Sequence, residues 1–249
     1  MNTKSTGQVA SAAVTGARHL RVPRNGQDAA ATWLGDGCGA IVVCDGCSAG
    51  AYSEVGARLA SQLVIARLAS RLPSERPDEG LWSSIRAELV AELGRIALVM
   101  PGDRLATLHD HFLFTIVAAA WRADEVAVWA LGDGAYALGD RVRTLGPFDD
   151  NQPPYLAYDL LGTQHAAHFV VTDAACGSVL VATDGIAELG FDAFLGDNVD
   201  RFLANPDALR RQLVVRARSN ERVDWDERRI VRAPAPLQDD GAIAVMRWA

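Results

Sequence analysis

Four apolar runs in this chain meet an Asp-Gly pair: IVVC before Asp45, VWALG before Asp133, LVAT before Asp184, and AIAV after Asp240. A fifth pair, at Asp36, sits within LGDGCG, and another acid, Asp28, precedes a strand-like stretch in NGQDAAATW. A single Asp-Gly says little, because it is common hairpin chemistry. The repetition is the constraint. Strands lie side by side in a sheet, so acids at several strand ends can converge on one edge of a sandwich. Converging carboxylates repel and raise each other's pKa, so a cluster of them at neutral pH calls for cations. All-oxygen ligands favour hard ions such as Mg²⁺ or Mn²⁺ over zinc. Two such ions roughly 3.5–4 Å apart can activate a water toward phosphorus, which is a hydrolase arrangement.

Each acid also has a plainer reading. Asp36 has strand-like residues on both sides and fits a hairpin turn. Asp133, between VWAL and AYAL, invites the same reading. Asp45 and Asp184 resist it, since neither CSAG nor IAELG continues as an alternating strand. Asp240 follows Asp239 and could be half of a solvated charge pair.

The 249 residues suit one large domain, and we read residues 1–249 as a single unit with residues 1–15 as a loose arm or first strand. Ala30 to Cys44 reads as two short strands. Tyr52 to Arg71 reads as a helix with Ser53 as its N-cap and Val55, Leu59, Leu63, Ile65 and Leu68 as its apolar positions. Leu81 to Met100 is a second helix, striped by Leu81, Ile85, Leu89, Leu93 and Ile96. FLFTIVAAAW, VAVWAL and AYAL then read as a meander. Residues 146–165 read as loop, SVLVA as a strand, 186–205 as mixed short segments, Pro206 to Arg218 as a basic helix, and AIAVMRW as a closing strand. That order is α+β with mainly antiparallel sheet.

A formal net charge of −7 offers no electrostatic footprint for nucleic acid or an anionic membrane. The N-terminal stretch lacks a signal-like apolar core, and the longest apolar run, Phe112 to Trp121, is too short to span a bilayer. These features predict a cytoplasmic protein. Cys44 and Cys47 form a C-x-x-C without a second pair to complete a zinc site, and Cys44 closes a strand instead of opening a helix. His109 and His111 precede a strand and read as loop or turn histidines, and His19 could line the site or cap a strand, with structure the preferred reading.

Taken in order, NGQDA, VVCDGCSAGAYSEVGARLA, FTIVAA…VWALGDGAYAL, LVATDGIAEL and DDGAIAVM resemble the bacterial metal-dependent protein phosphatases of type 2C, from about residue 16 to the end. The resemblance implies an α-β-β-α sandwich, a centre of two Mn²⁺ or Mg²⁺ ions with a weaker third, and hydrolysis of phosphoserine or phosphothreonine in phosphorylated proteins. By the same resemblance Asp45 would bridge the two metals and Gly46 would offer its carbonyl. Asp184 and Asp240 would hold one ion, Asp28 would hold or orient the waters of the other, and Asp133 would serve the third. Where many members carry a histidine after Asp-Gly, as proton donor to the leaving alkoxide, this chain has Cys47, a poorer donor. Gly241 stands where asparagine is usual. Arg24, or Arg21, is the candidate to grip the substrate phosphate, though the spacing departs from the common pattern. The alternative is a pseudophosphatase, the same fold used as a regulatory binding module. The oligomeric expectation is a monomer.

Overall fold

A computed structural model describes residues 6–249. The chain opens with β1 (Gly7–Val14), a short helix α1 (Ala17–Arg21), β2 (Ala29–Gly35) and β3 (Cys38–Gly46). Helices α2 (Ser53–Arg71), α3 (Glu79–Val99) and α4 (Arg104–His111) follow, then β4 (Phe114–Arg122), β5 (Glu125–Leu131), β6 (Gly134–Leu138) and β7 (Arg141–Leu145). A connection with 3₁₀ turns at Asp149–Asn151 and Leu156–Leu161 leads to β8 (His168–Asp173) and β9 (Ser178–Ala182). The remainder is α5 (Asp184–Leu189), α6 (Asp197–Ala204), α7 (Pro206–Arg216), the hairpin β10 (Asn220–Asp224) and β11 (Arg229–Ala233), and β12 (Gly241–Trp248).

Two antiparallel five-stranded sheets result, ordered β1-β12-β9-β6-β7 and β2-β3-β4-β5-β8. Their central strands, such as β3, β4, β9 and β12, are apolar on both faces because both faces are covered. Along β3, Cys38, Ala40, Val42 and Cys44 pack under α2 and α3, while Ile41 and Val43 point into the interior shared by the two sheets. β12 divides the same way, with Ile243 and Val245 toward the α6–α7 side and Ala242, Ala244 and Met246 inward. Side chains alternate along a strand, so one run of sequence feeds two cores. The α-β-β-α sandwich expected from the sequence is therefore the observed fold.

Several local expectations are corrected. Of the two readings for the N-terminal stretch, residues 7–14 take the first strand: they are β1, paired along its whole length with β12; residues 1–5 lie outside the described residues. The meander breaks at Asp133: β4 and β5 are neighbours, but β6 belongs to the other sheet. The turn between them is Gly132-Asp133-Gly134, with φ of +102° and +115° at the two glycines. These are values that L side chains rarely adopt, and they let the chain change sheets within three residues. Ser53 is not the N-cap of α2. Tyr52 precedes the helix, and the Ser53 hydroxyl donates to the Cys47 carbonyl at 2.9 Å. The buried face of α2 keeps Ile65 and Leu68 of the expected positions but is completed by Gly56, Ala57, Ala60, Ser61 and Val64, with Leu59 and Leu63 half-buried and Val55 exposed. Small residues win that face because the helix lies close to the sheet and the α4–β4 corner. A Cβ on Gly56 would collide with the His111 carbonyl and stand 2.8 Å from the Phe114 ring. His109 and His111 lie in the last turn of α4, not in a loop.

Candidate metal centre

The strand ends that carry acids meet at one end of the sandwich. Ala29 pairs with Cys44, which sets Asp28 beside Asp45 at the mouth of the β2–β3 pair. Asp45 itself pairs with Thr115 of β4. On the other sheet, Gly241 pairs with Val14 and Ile243 with Ala182, so Asp240 enters β12 where β9 gives way to Asp184. A cavity of about 470 Å³ opens there, and its walls include Asp28, Asp45, Gly46, Cys47, Asp133, Asp184 and Asp240. All the acids expected to ligate metal, with Gly46 and Cys47, thus line one space. Asp36 stays in the β2–β3 hairpin turn, away from it. Arg24 does not line the cavity. Its guanidinium donates to the Gly50 carbonyl at 2.6 Å, at the far end of the Gly46–Gly50 turn.

The acids are held by fixed donors. Asp240, only 3% exposed, accepts on Oδ1 from the Gly16 amide at 2.7 Å. Its Oδ2 meets the Gln27 amide at 2.6 Å and His19 Nδ1 at 2.8 Å. It is no solvated charge pair. Thr183 donates its hydroxyl to Asp28 Oδ2 at 2.6 Å while accepting from the Ala242 amide at 2.9 Å, which ties Asp28 to β12. Burial holds Asp28 well above the usual carboxylate range, opposed by the Thr183 hydroxyl and reinforced by the Asp240 and Asp184 charges. Asp45 is raised by burial and then by Asp28, Asp184 and Asp133. Asp133 is pushed up to about 6, again by burial first and Asp184 second.

The donor set fits divalent cations. The Asp28, Asp45, Asp133 and Asp184 carboxylates share one cavity closely enough to raise one another's pKa, a crowding that ionised carboxylates tolerate only with shared protons or cations among them. None of the described residues lining the cavity is a lysine or arginine that could neutralise these acids. Gln27, missed by the sequence reading, is buried in the wall with Nε2 directed at the Cys47 carbonyl and the Ser53 hydroxyl, and its Oε1 has no protein partner. A buried acceptor left open in this way suits a bound water or ligand. Gly46 completes the cradle: a Cβ there would stand 2.8 Å from Ser53 Oγ and 2.9 Å from the Gln27 carbonyl, so the backbone comes close to its neighbours.

The opposite wall is aromatic. Tyr155 and Tyr158 line the cavity, their rings 5.5 Å apart and nearly perpendicular. Burial raises the Tyr155 phenol, and the adjacent Cys47 thiol adds to the shift, so the phenol stays neutral. His109 of α4 also reaches the lining, a position its sequence neighbourhood did not suggest.

An antiparallel two-sheet sandwich with a cavity of carboxylates at one end is suited to holding divalent cations on oxygen ligands. Residues 15–224 match the family described as Protein phosphatase 2C, and the chain belongs to that family. Among solved structures, the serine/threonine phosphatase Stp1 from Staphylococcus aureus is similar at a TM-score of 0.60 and 14% identity, over 99% of this chain and 97% of that one. The Mycobacterium tuberculosis serine/threonine phosphatase PstP/Ppp is similar at a TM-score of 0.53 and 16% identity, covering 97% and 98%. A structure of the PstP catalytic domain in complex with 2 manganese ions matches at a TM-score of 0.54 and 16% identity, covering 98% and 99%. No curated protein matches the chain in sequence. The protein is a metal-dependent serine/threonine protein phosphatase.

Proposed function

We propose that the chain hydrolyses phosphoserine and phosphothreonine esters using two Mn²⁺ or Mg²⁺ ions held in this cavity. Asp45 would help hold both ions and Gly46 would offer its backbone carbonyl; Asp184 and Asp240 would hold one ion, Asp28 would hold or orient the waters of the other, and Asp133 would help hold a weaker third. The observation that carries this reading is the convergence of Asp28, Asp45, Asp133, Asp184 and Asp240 on one cavity that has no lysine or arginine in its lining. When bound, the ions supply Lewis acidity toward a phosphoryl oxygen and toward water.

The chain's own groups do the rest. The Gly16 and Gln27 amides fix the Asp240 carboxylate, and Thr183 fixes Asp28, so neither acid rotates when protons leave. The open Oε1 of Gln27 is an acceptor available to a water or a substrate hydroxyl. Cys47, on the cavity side of β3's end, is the proton donor to the departing alkoxide, and the neutral Tyr155 phenol shields and orients it. A thiol is a weaker acid than imidazolium, so esters with poor leaving groups turn over more slowly than those with good ones. Arg24 acts on the phosphate only indirectly, by holding Gly50 and the turn that bears Cys47. Four free cysteines are the pattern of a reducing compartment and support a place in the cytoplasm; we read the working unit as a monomer. No helix among the described residues is long and apolar enough to cross a membrane.

The test is hydrolysis of p-nitrophenyl phosphate and of a phosphothreonine peptide while Mn²⁺ is titrated in, for wild type, Asp45→Asn and Asp184→Asn. The expected result is Mn²⁺-dependent turnover that falls at least 100-fold in both variants, as loss of a metal ligand implies. A wild type that binds Mn²⁺ but turns over neither substrate would make the chain a pseudophosphatase.

A further inference from the structure

A second cavity, of about 390 Å³, adjoins the first and shares Gln152 and Tyr158 with it. Its walls carry the Phe148, Tyr158 and His165 rings and one carboxylate, Asp149, with no lysine or arginine. The aromatic wall runs without a break from one cavity to the other. Tyr155 meets Tyr158 at 5.5 Å, and Tyr158 meets His165 at 5.6 Å.

That wall is anchored from beneath. Arg86 of α3 grips Asp159 with two parallel bonds, Nε to Oδ2 at 2.7 Å and a terminal nitrogen to Oδ1 at 2.8 Å. Its remaining nitrogen donates to the His165 carbonyl at 2.8 Å. Both side chains of the pair are only 8% exposed. A bidentate pair of this geometry, out of water, fixes position as well as charge. It holds the segment bearing Tyr158 and His165 against a long helix, which preorganises the second cavity.

We propose that the second cavity receives an arginine or lysine side chain of the phosphoprotein substrate, from a residue near the phosphorylated one. The inference rests on the phosphatase reading of the first cavity. Ring faces beside a carboxylate attract a guanidinium or ammonium group, by quadrupole and by charge. An acidic side chain at the same place would face Asp149 and find no lysine or arginine among the described lining residues, with His165 the one titratable base beside it, so the walls favour a cation over an anion. An extended peptide advances ~3.3–3.6 Å per residue, so two adjoining cavities of this size can be filled by residues within about three positions of each other.

The experiment compares phosphothreonine peptides of one composition, with a single arginine or a single glutamate placed at each position within three of the phosphorylated residue. Wild type, Asp149→Asn and Phe148→Ala are assayed with Mn²⁺, and p-nitrophenyl phosphate serves as the substrate that fills the first cavity alone. At one or more positions, kcat/KM for the arginine peptide exceeds that for the glutamate peptide at least tenfold. Asp149→Asn and Phe148→Ala each cut that ratio to about threefold or less by raising KM for the arginine peptide, with p-nitrophenyl phosphate turnover unchanged. Wild type that hydrolyses p-nitrophenyl phosphate yet treats the two peptide sets alike overturns the proposal, as does a ratio that survives both substitutions. Absence of any Mn²⁺-dependent turnover would defeat the phosphatase reading itself, and the second cavity's assignment with it.

Discussion

Asp133 shows how much the environment of one residue decides. Its neighbours VWAL and AYAL suggest a hairpin turn, yet the two strands join different sheets and the carboxylate lines the cavity. Burial and the nearby Asp184 push its pKa up to about 6. A carboxyl group raised in the folded state keeps its proton after the unfolded chain has lost it. Folded protein then binds more protons than unfolded between about pH 4 and 6, so stability contributed at this position falls as pH rises through that window and is fully lost above it. An asparagine cannot ionise and escapes the loss. In metal-free protein, Asp133→Asn therefore gains on wild type by on the order of 1–3 kcal/mol between pH 4 and 7. Urea unfolding at a series of pH values in EDTA measures it, and a difference that stays flat with pH would contradict the burial of this group. The other acids were legible as strand-end carboxylates for a chemical reason: an acid directly after a buried apolar run needs either a turn or a partner. Gln27 and His109 were not legible, because an amide and a lone histidine carry no pattern until the fold sets them in a wall.

At the scale of elements, the strands were easier to read than the faces of the helices. Both faces of β3, β4, β9 and β12 are covered, so each writes itself as a continuous apolar run whichever way it points. α2 is different. Ile65 and Leu68 were legible as buried, but in the first turns close approach to the sheet selected the small residues Gly56, Ala57 and Ala60 over Val55, and only tertiary spacing reveals that choice. The short strands β7, β8, β10 and β11 escaped notice because they are largely exposed or half-buried and lack a buried stripe. Gly56 is the residue on which the α2 packing turns. Gly56→Ala puts a methyl group against the His111 carbonyl and the Phe114 ring, so α2 must back away. Overpacking of this kind costs ~1–3 kcal/mol, against the ~1 kcal/mol that alanine gains over glycine in an exposed helix. Chemical denaturation should show a net loss of stability. A net gain would mean that α2 sits further from β4 than described here.

Across the whole molecule, the two sheets are a frame whose one end assembles a charge cluster that neither sheet could build alone. β2, β3 and β5 bring Asp28, Asp45 and Asp133, and the other sheet brings Asp184 and Asp240. The hydrogen bond from Thr183 to Asp28 crosses between them. Cations that bind this cluster bind the folded chain only, so they stabilise it by mass action, ~2.7 kcal/mol at a concentration 100 times the dissociation constant. The most direct test is therefore the count of bound Mn²⁺, by calorimetry with electron paramagnetic resonance of the free ion, in wild type and Asp45→Asn. Two ions bound in wild type with a weaker third, and loss of the tight pair in Asp45→Asn while the variant stays folded, is the predicted result. Tight binding that survives Asp45→Asn unchanged would contradict the centre built on the end of β3.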